Sequence, residues 1–300
     1  MRISTGQMQL QGINSILDRY AELAITQQQL ATGLRIVNPS DDPVGMTQVF
    51  PLNEAISLNE QYNRNMDVAQ SRLSMEEGTL SNAIDILQRI HELAIQGSNN
   101  TLSTSDRKLI AIEVRQDLQS LQGLANTQDS NGEYLFAGDK VTTEPFTETP
   151  PGTYNYVGDS GQRNVQIGAS RQIAVGDPGD DTFVNVPFSG GGTQSIFQTI
   201  ADYATTLEAG TPDANITDDI KSAMNTIATI RTKIGARLNA IDSQRSQNED
   251  AILQSKQVKS TIQDLDIAEA VSRLNQQTLA LQSSQQAYTR VQGLSLFNYL

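Results

Sequence analysis

Along the first segment of the chain, apolar positions recur in alternating steps of three and four: Leu10, Ile13, Leu17, Tyr20, Ala24, Ala31 and Leu34, with Gln27 as a polar interruption. That spacing keeps one seam of a helix turned toward a partner helix. Ile16, Leu23 and Leu30 form a second stripe beside it, so the helix has two sides to cover. The alanines and Gln27 leave the seam thin, and a thin helix depends on packing rather than on its own propensity. The last segment mirrors the first. Ile267, Val271, Leu274, Thr278, Leu281, Gln285 and Tyr288 step by four and three, and Val291, Leu294, Leu296, Phe297 and Leu300 make an unusually apolar ending. Only these two segments carry the thin heptad pattern, so they are expected to pair. The pair defines a discontinuous terminal domain of residues 1–44 and 266–300, disordered in the isolated chain and ordering where neighbours cover its stripes. Two independent amphipathic helices on a globular body are the alternative that the pattern allows.

Richer helices lie between. Met66, Leu73, Leu80, Ile84, Leu87 and His91 share one broad face that ends near Gly97. The loop Ser98–Asp106 closes with residues that cap a new helix, which carries Ile110, Val114, Leu118, Leu121 and Ala125. Ile220, Met224, Ile227, Ile230, Ile234 and Leu238 begin another helix, with Ile241, Ile252 and Val258 extending it. Residues 45–140 and 193–265 are therefore expected to form a helical bundle with its own core.

The middle of the chain must turn often. Of the 21 glycines, eleven lie between Gly132 and Gly192, along with five of the nine prolines. A glycine inside a helix costs about 1 kcal/mol and a proline about 3. Segments 134–137, 154–157, 163–167, 171–175 and 182–186 alternate or cluster apolar residues, and Gly158–Gly161 and Gly176–Gly179 supply turns between them. The fold class expected is mainly α, elongated, with a small antiparallel β domain inserted at 141–192 and helix resuming from Thr193 to Leu207.

Composition narrows the function. With 37% hydrophobic residues, 5% aromatic, no tryptophan and a mean hydropathy of -0.38, the 300-residue chain suits an extended body with much exposed surface. It has no cysteine and a single histidine, His91, which removes disulfides, thiolate chemistry, zinc fingers and His-rich metal centres. A net charge of -13 would repel phosphate backbones and anionic lipid, so neither nucleic acid nor membrane is an expected partner. There is no run of about 20 apolar residues, and the first ten residues lack the apolar core of a cleavable secretory signal. No cofactor is expected. His91, beside Glu92, lies at helical spacing from Leu87 and Ile84 and reads as part of a packing face. Asp177, Asp180 and Asp181 lack the spacing of a calcium loop and read as a solvated turn. Gly190–Gly192 lacks the residues of a phosphate loop, and two Asn-x-Thr sequons, at Asn99 and Asn215, are short enough to arise by chance. An enzyme would need converging polar groups, and a free-standing coiled-coil adhesin would be stably helical at its ends; both stay open on the residues alone.

Particular motifs carry more. Arg2-Ile-Ser-Thr5, Gln29-Leu-Ala-Thr-Gly-Leu-Arg35 and Pro39-Ser-Asp-Asp-Pro43 are followed by Asn65–Leu73, Ile90–Gln96 and Asp129–Phe136. Near the other end stand Ile234–Asn239, Asp264-Leu-Asp-Ile-Ala-Glu-Ala270 and Ser295-Leu-Phe-Asn-Tyr-Leu300. In their order and position these resemble the bacterial flagellin superfamily over most of residues 1–140 and 220–300, and its hook–filament junction members more than its filament subunits. The resemblance implies a secreted flagellar component, leaving through the flagellar type III apparatus on an uncleaved N-terminal signal, with an export chaperone holding its C-terminal helix. It also implies a ring of copies of the chain between hook-associated protein 1 and flagellin. The residues expected to make these contacts are Leu10, Ile13, Leu17, Leu30, Leu34, Leu274, Leu281, Val291, Leu294, Leu296, Phe297 and Leu300. A flagellin filament subunit is the alternative.

Overall fold

A computed structural model describes residues 5–149, 152–211 and 213–293. Six helices carry most of it: α1 (Thr5–Thr32), α2 (Pro43–Gly97), α3 (Thr104–Ala125), α4 (Ile196–Glu208), α5 (Ile216–Gln263) and α6 (Ile267–Gly293). Between α3 and α4 run short strands β1 (Phe146–Glu148), β2 (Tyr154–Tyr156), β3 (Asn164–Gly168), β4 (Arg171–Ala174), β5 (Val186–Pro187) and β6 (Thr193–Gln194). The chain divides into two compact units. The first comprises Met1–Leu58 and Asp250–Leu300, the second Asn59–Glu249.

The second unit holds the main core. Met66, Leu73, Leu80 and Leu87 recur every seventh residue on α2 and are fully buried, as are Ile227, Ile234 and Ile241 on α5. Ile110, Val114, Leu118 and Leu121 line the inner face of α3, on which α4 packs with Phe197, Ala201, Ala204 and Leu207. Ser103 caps α3 in a capping box: its hydroxyl accepts from the Asp106 amide while the Asp106 carboxylate accepts from the Ser103 amide.

The middle of the chain does pair in antiparallel fashion, but as three separate two-stranded ladders, β1–β2, β3–β4 and β5–β6. Two expected strands are absent. Around Tyr134 only one bridge forms, to Gln128, because the Asp129 carboxylate gathers the Asn131 and Glu133 amides into a turn. Residues Asp180–Val184 instead make a π-helical turn, closed by the Asn185 amide on the Asp180 carbonyl, which carries Phe183 inward. There Phe136, Phe146, Phe183 and Phe197 meet with ring centroids 4.8–5.7 Å apart, in tilted and edge-on geometry. This cluster joins the strands to α4 through one continuous core. The acidic turn is also not simply solvated. Asp177 is buried, and its carboxylate accepts from both terminal nitrogens of Arg237 at 2.8 and 2.7 Å.

One buried cation gathers the ends of two helices. Arg107 donates to the carbonyls of Gly97 (3.3 Å), Asn99 (3.1 Å) and Gly210 (2.8 Å), which lie where α2 and α4 finish. A cation there answers the partial negative charge of helix C-termini as well as their unpaired carbonyls. Arg107→Met should strand these acceptors and lower stability by about 3 kcal/mol, read as a lower urea midpoint; Arg107→Lys should recover only part of the loss.

Candidate functional site

The first unit is built on α1 and α6, which lie against each other and run antiparallel. Their register is set at one end by a backbone crosspiece. Gly33, at φ +71°, ends α1 in the left-handed conformation that glycine adopts without strain. Leu34 then bridges to Asp264: the Arg35 amide donates to the Gln263 carbonyl at 2.7 Å and the Leu265 amide to the Gly33 carbonyl at 3.0 Å. The Arg35 guanidinium reaches the Ile262 carbonyl at 2.7 Å and the Asp42 carboxylate at 3.2 Å, and the Gln263 side chain donates to the Ile36 carbonyl. Asp42 also accepts from the Gly45 amide at 2.9 Å, capping α2, whose first residue is Pro43. The Gly45 amide first, and Arg35 after it, hold the Asp42 carboxyl below its ordinary value. Asp266 caps α6 in the same way, accepting from the Ala268 and Glu269 amides. Motifs from the two ends of the sequence thus meet in one knot of hydrogen bonds.

From that knot the seam follows a stripe other than the one expected. Gly12, Ile16, Leu23 and Leu30 are partly buried on α1 and Thr26 is buried; on α6 the covered positions include Ala270, Leu274, Gln277, Leu281, Ser284 and Tyr288. At the far end a Cβ on Gly12 would stand 2.9 Å from the Tyr288 ring, so the helices approach closely there. The expected α1 seam faces outward: Leu10 is 63% exposed, Leu17 59% and Tyr20 52%, with Ile13 exposed as well. On α6, Ile267 and Val271 are likewise exposed, whereas Leu274 and Leu281 lie in the seam, Leu281 only 6% exposed. Both stripes have the three-four spacing. The inner one is favoured because glycine, alanine and serine at its positions let the two backbones come together. Glycine and serine carry no apolar signal, so Gly12 and Ser284 stand outside the apolar stripes of the sequence.

Of the residues expected to make partner contacts, Leu10, Ile13 and Leu17 are therefore free on the outer face, and Leu30, Leu34, Leu274 and Leu281 belong to the pair or its crosspiece. The Val291 side chain and Leu294, Leu296, Phe297 and Leu300 lie outside the described residues. Met8, Ile25, Val44, Phe50, Leu253, Val258 and Leu279 add further exposed apolar groups to the same unit. The unit is also nearly neutral, with seven Lys and Arg against nine Asp and Glu, whereas the second unit has fourteen against twenty-five. An apolar surface of this extent, free of strong charge, is suited to burial against other proteins.

Other sequence features resolve locally. His91 is half-buried on α2. Asn99 accepts from both the amide and the hydroxyl of Thr101, an Asx turn that accounts for that sequon. Among the described residues, no helix is long and apolar enough to cross a membrane.

Residues 3–141 match the family described as the bacterial flagellin N-terminal helical region, and residues 217–300 match the bacterial flagellin C-terminal helical region. The chain is 33% identical over 316 residues to flagellar hook-associated protein 3 of Escherichia coli (strain K12), covering 99% of each. Among solved structures, flagellar hook-associated protein-3 from Legionella pneumophila is similar with a TM-score of 0.67 at 25% identity, over 71% of this chain and 98% of that one. The flagellar junction protein FlgL from the same organism gives 0.58 at 25% identity, over 65% and 99%.

Arg35→Met should loosen the crosspiece. Amide exchange in α1 and α6 is expected to rise about tenfold while that of α3 stays as it was. Because the folded state favours the charged Asp42, the cap should also weaken as pH falls through the carboxylate range, with the first turn of α2 losing protection in acid once exchange is corrected for its intrinsic pH dependence.

Proposed function

The chain belongs to the bacterial flagellin family and is a structural component of the flagellum, and from that premise we propose that it is the subunit of the hook–filament junction. In this reading it leaves the cell through the flagellar type III apparatus and assembles with copies of itself into a ring, with hook-associated protein 1 on one side and flagellin on the other. The observation that carries the reading is the outward apolar stripe of α1, Leu10, Ile13, Leu17 and Tyr20, in a unit of almost no net charge. Burying each such side chain against a neighbour is worth about 1.5–3 kcal/mol, so a few shared between copies make a firm contact. The similarity to hook-associated protein 3 along the whole chain supports the junction over the filament as the place of assembly.

The two apolar faces of the terminal helices divide the work. Leu274 and Leu281 on α6 face α1 in the folded pair, so an export chaperone takes them before α1 does. Neighbouring subunits take the outer stripe afterwards. A helix laid in a groove presents anchors at these three-, four- and seven-residue spacings.

In a strain lacking this chain, electron microscopy should find hooks without filaments while flagellin accumulates in the medium, and labelled copies should restore filaments and mark one junction each. Label distributed along the filament would identify a filament subunit instead. Leu10→Asp with Leu17→Asp should be exported yet fail to restore filaments, since a carboxylate is costly to desolvate in an apolar contact. Leu274→Asp with Leu281→Asp should weaken chaperone binding, measured by calorimetry, by a few orders of magnitude; unchanged binding would remove that face from the chaperone's contact.

A further inference from the structure

Within the second unit, a carboxyl group sits where no cation directly answers it. Glu76 on α2 is 1% exposed. Its one hydrogen bond to the 175–179 loop is accepted from the Asp177 amide, at 3.0 Å. The two guanidinium groups whose charge reaches it are committed elsewhere. Arg237 on α5 gives both terminal nitrogens to the Asp177 carboxylate, which also accepts from the Gln162 side chain. Arg72, one turn before Glu76, is bound to Asp129 at 2.8 Å, to Glu133 at 3.1 Å and to the Tyr134 carbonyl at 3.1 Å. Arg163, at the entry to β3, shares Glu133 at 2.7 Å. The charged groups facing this point are thus Arg72 from α2, Arg237 from α5, Asp129 and Glu133 from the turn after α3, Arg163 from the approach to β3, and Asp177 itself. Every cation among them has a carboxylate of its own, and Glu76 is the acid left over.

We propose that Glu76 and Asp177 form a proton-operated clamp that fastens the 175–179 loop, and with it the β3–β4 hairpin, to α2 and α5. The clamp is closed while Glu76 keeps its proton: a neutral carboxyl lies beside the Asp177 carboxylate without repulsion and still accepts from the Asp177 amide. Losing the proton places two buried carboxylates side by side while Arg237 is bonded to Asp177 alone, and the loop is the part that moves away. Burial, with the Asp177 charge next, pushes the Glu76 carboxyl up to about 8. The unfolded chain ionises this group near 4.5, so between those values it binds fewer protons than the folded chain. Stability therefore falls as pH rises across that window and levels off above it.

The test uses the full chain. Amide exchange, corrected for its intrinsic pH dependence, is followed for residues 160–180 and for α3 at about pH 6 and about pH 9.5. In the native sequence, protection of 160–180 is expected to fall at least about tenfold at the higher pH while α3 is unchanged. Glu76→Gln keeps a neutral acceptor for the Asp177 amide and should hold its protection at both values. Equal protection of the native chain at the two pH values, or a loss in Glu76→Gln as large as in the native chain, would overturn the proposal. A second measurement needs no variant. The side-chain carboxyl carbon resonance of Glu76 should titrate above neutrality, and a midpoint in the ordinary carboxylate range would overturn the clamp.

Discussion

The backbone exchange between Gly33–Arg35 and Gln263–Leu265 is the constraint on which the terminal pair depends. It joins residues some 230 positions apart, and closing so long a loop carries an entropy cost that local contacts do not. Once the exchange is made, the register of α1 on α6 is fixed for the length of both helices. The seam then needs only small and medium side chains, because the crosspiece has already positioned the backbones. Arg35 adds a second fastening, since its guanidinium holds both the end of α5, at Ile262, and the cap of α2, at Asp42. Each of these partners is a terminus of a helix, where unpaired groups are available.

The two units are stabilised in different ways. In the second, heptad-spaced Leu, Met and Ile side chains and a cluster of four phenylalanines remove large apolar areas from water. That cluster does what tryptophan commonly does in a core, and it explains how a chain with so few aromatic residues anchors its short strands. Among the described residues of the first unit the fully buried large side chains are few, Ile36 and Val49 among them. Much of its apolar surface faces outward instead. A unit so built has its hydrophobic stabilisation completed from outside, which is the physical signature of a subunit rather than a free-standing protein.

Helices were the readable part of the sequence. The limits of α2 at Gly97, of α3 after its capping box, and the long continuation of α5 through Ile241 to Gln263 all follow from apolar spacing and helix breakers. The pairing of the two ends was readable as well. Its face was not. Stripes one position apart in the heptad both carried apolar residues, and close approach selected the one containing Gly12 and Ser284, which hydrophobicity alone ranks last. The strands were legible where turns bracket them, as at β3 and β4. Val184 and Phe183 resembled a strand because they are β-formers, yet the demand that Phe183 enter the aromatic cluster bent the backbone into a π-helical turn. The burial of Asp177 had no local signal, since its partner Arg237 lies sixty residues away.

The order in which the pair's halves are made has a temporal consequence. A ribosome adds about 5–20 residues per second, so α1 emerges roughly tens of seconds before any part of α6 exists. Throughout that interval the second unit can begin to collapse on its own local contacts, while α1 has nothing to lie against. The terminal pair therefore cannot close until α6 has been made, and the order of elements along the chain alone imposes that wait. Any machinery that engages the nascent chain before α6 is made meets α1 single, with both its stripes uncovered, and acts before the knot at Arg35 has been tied.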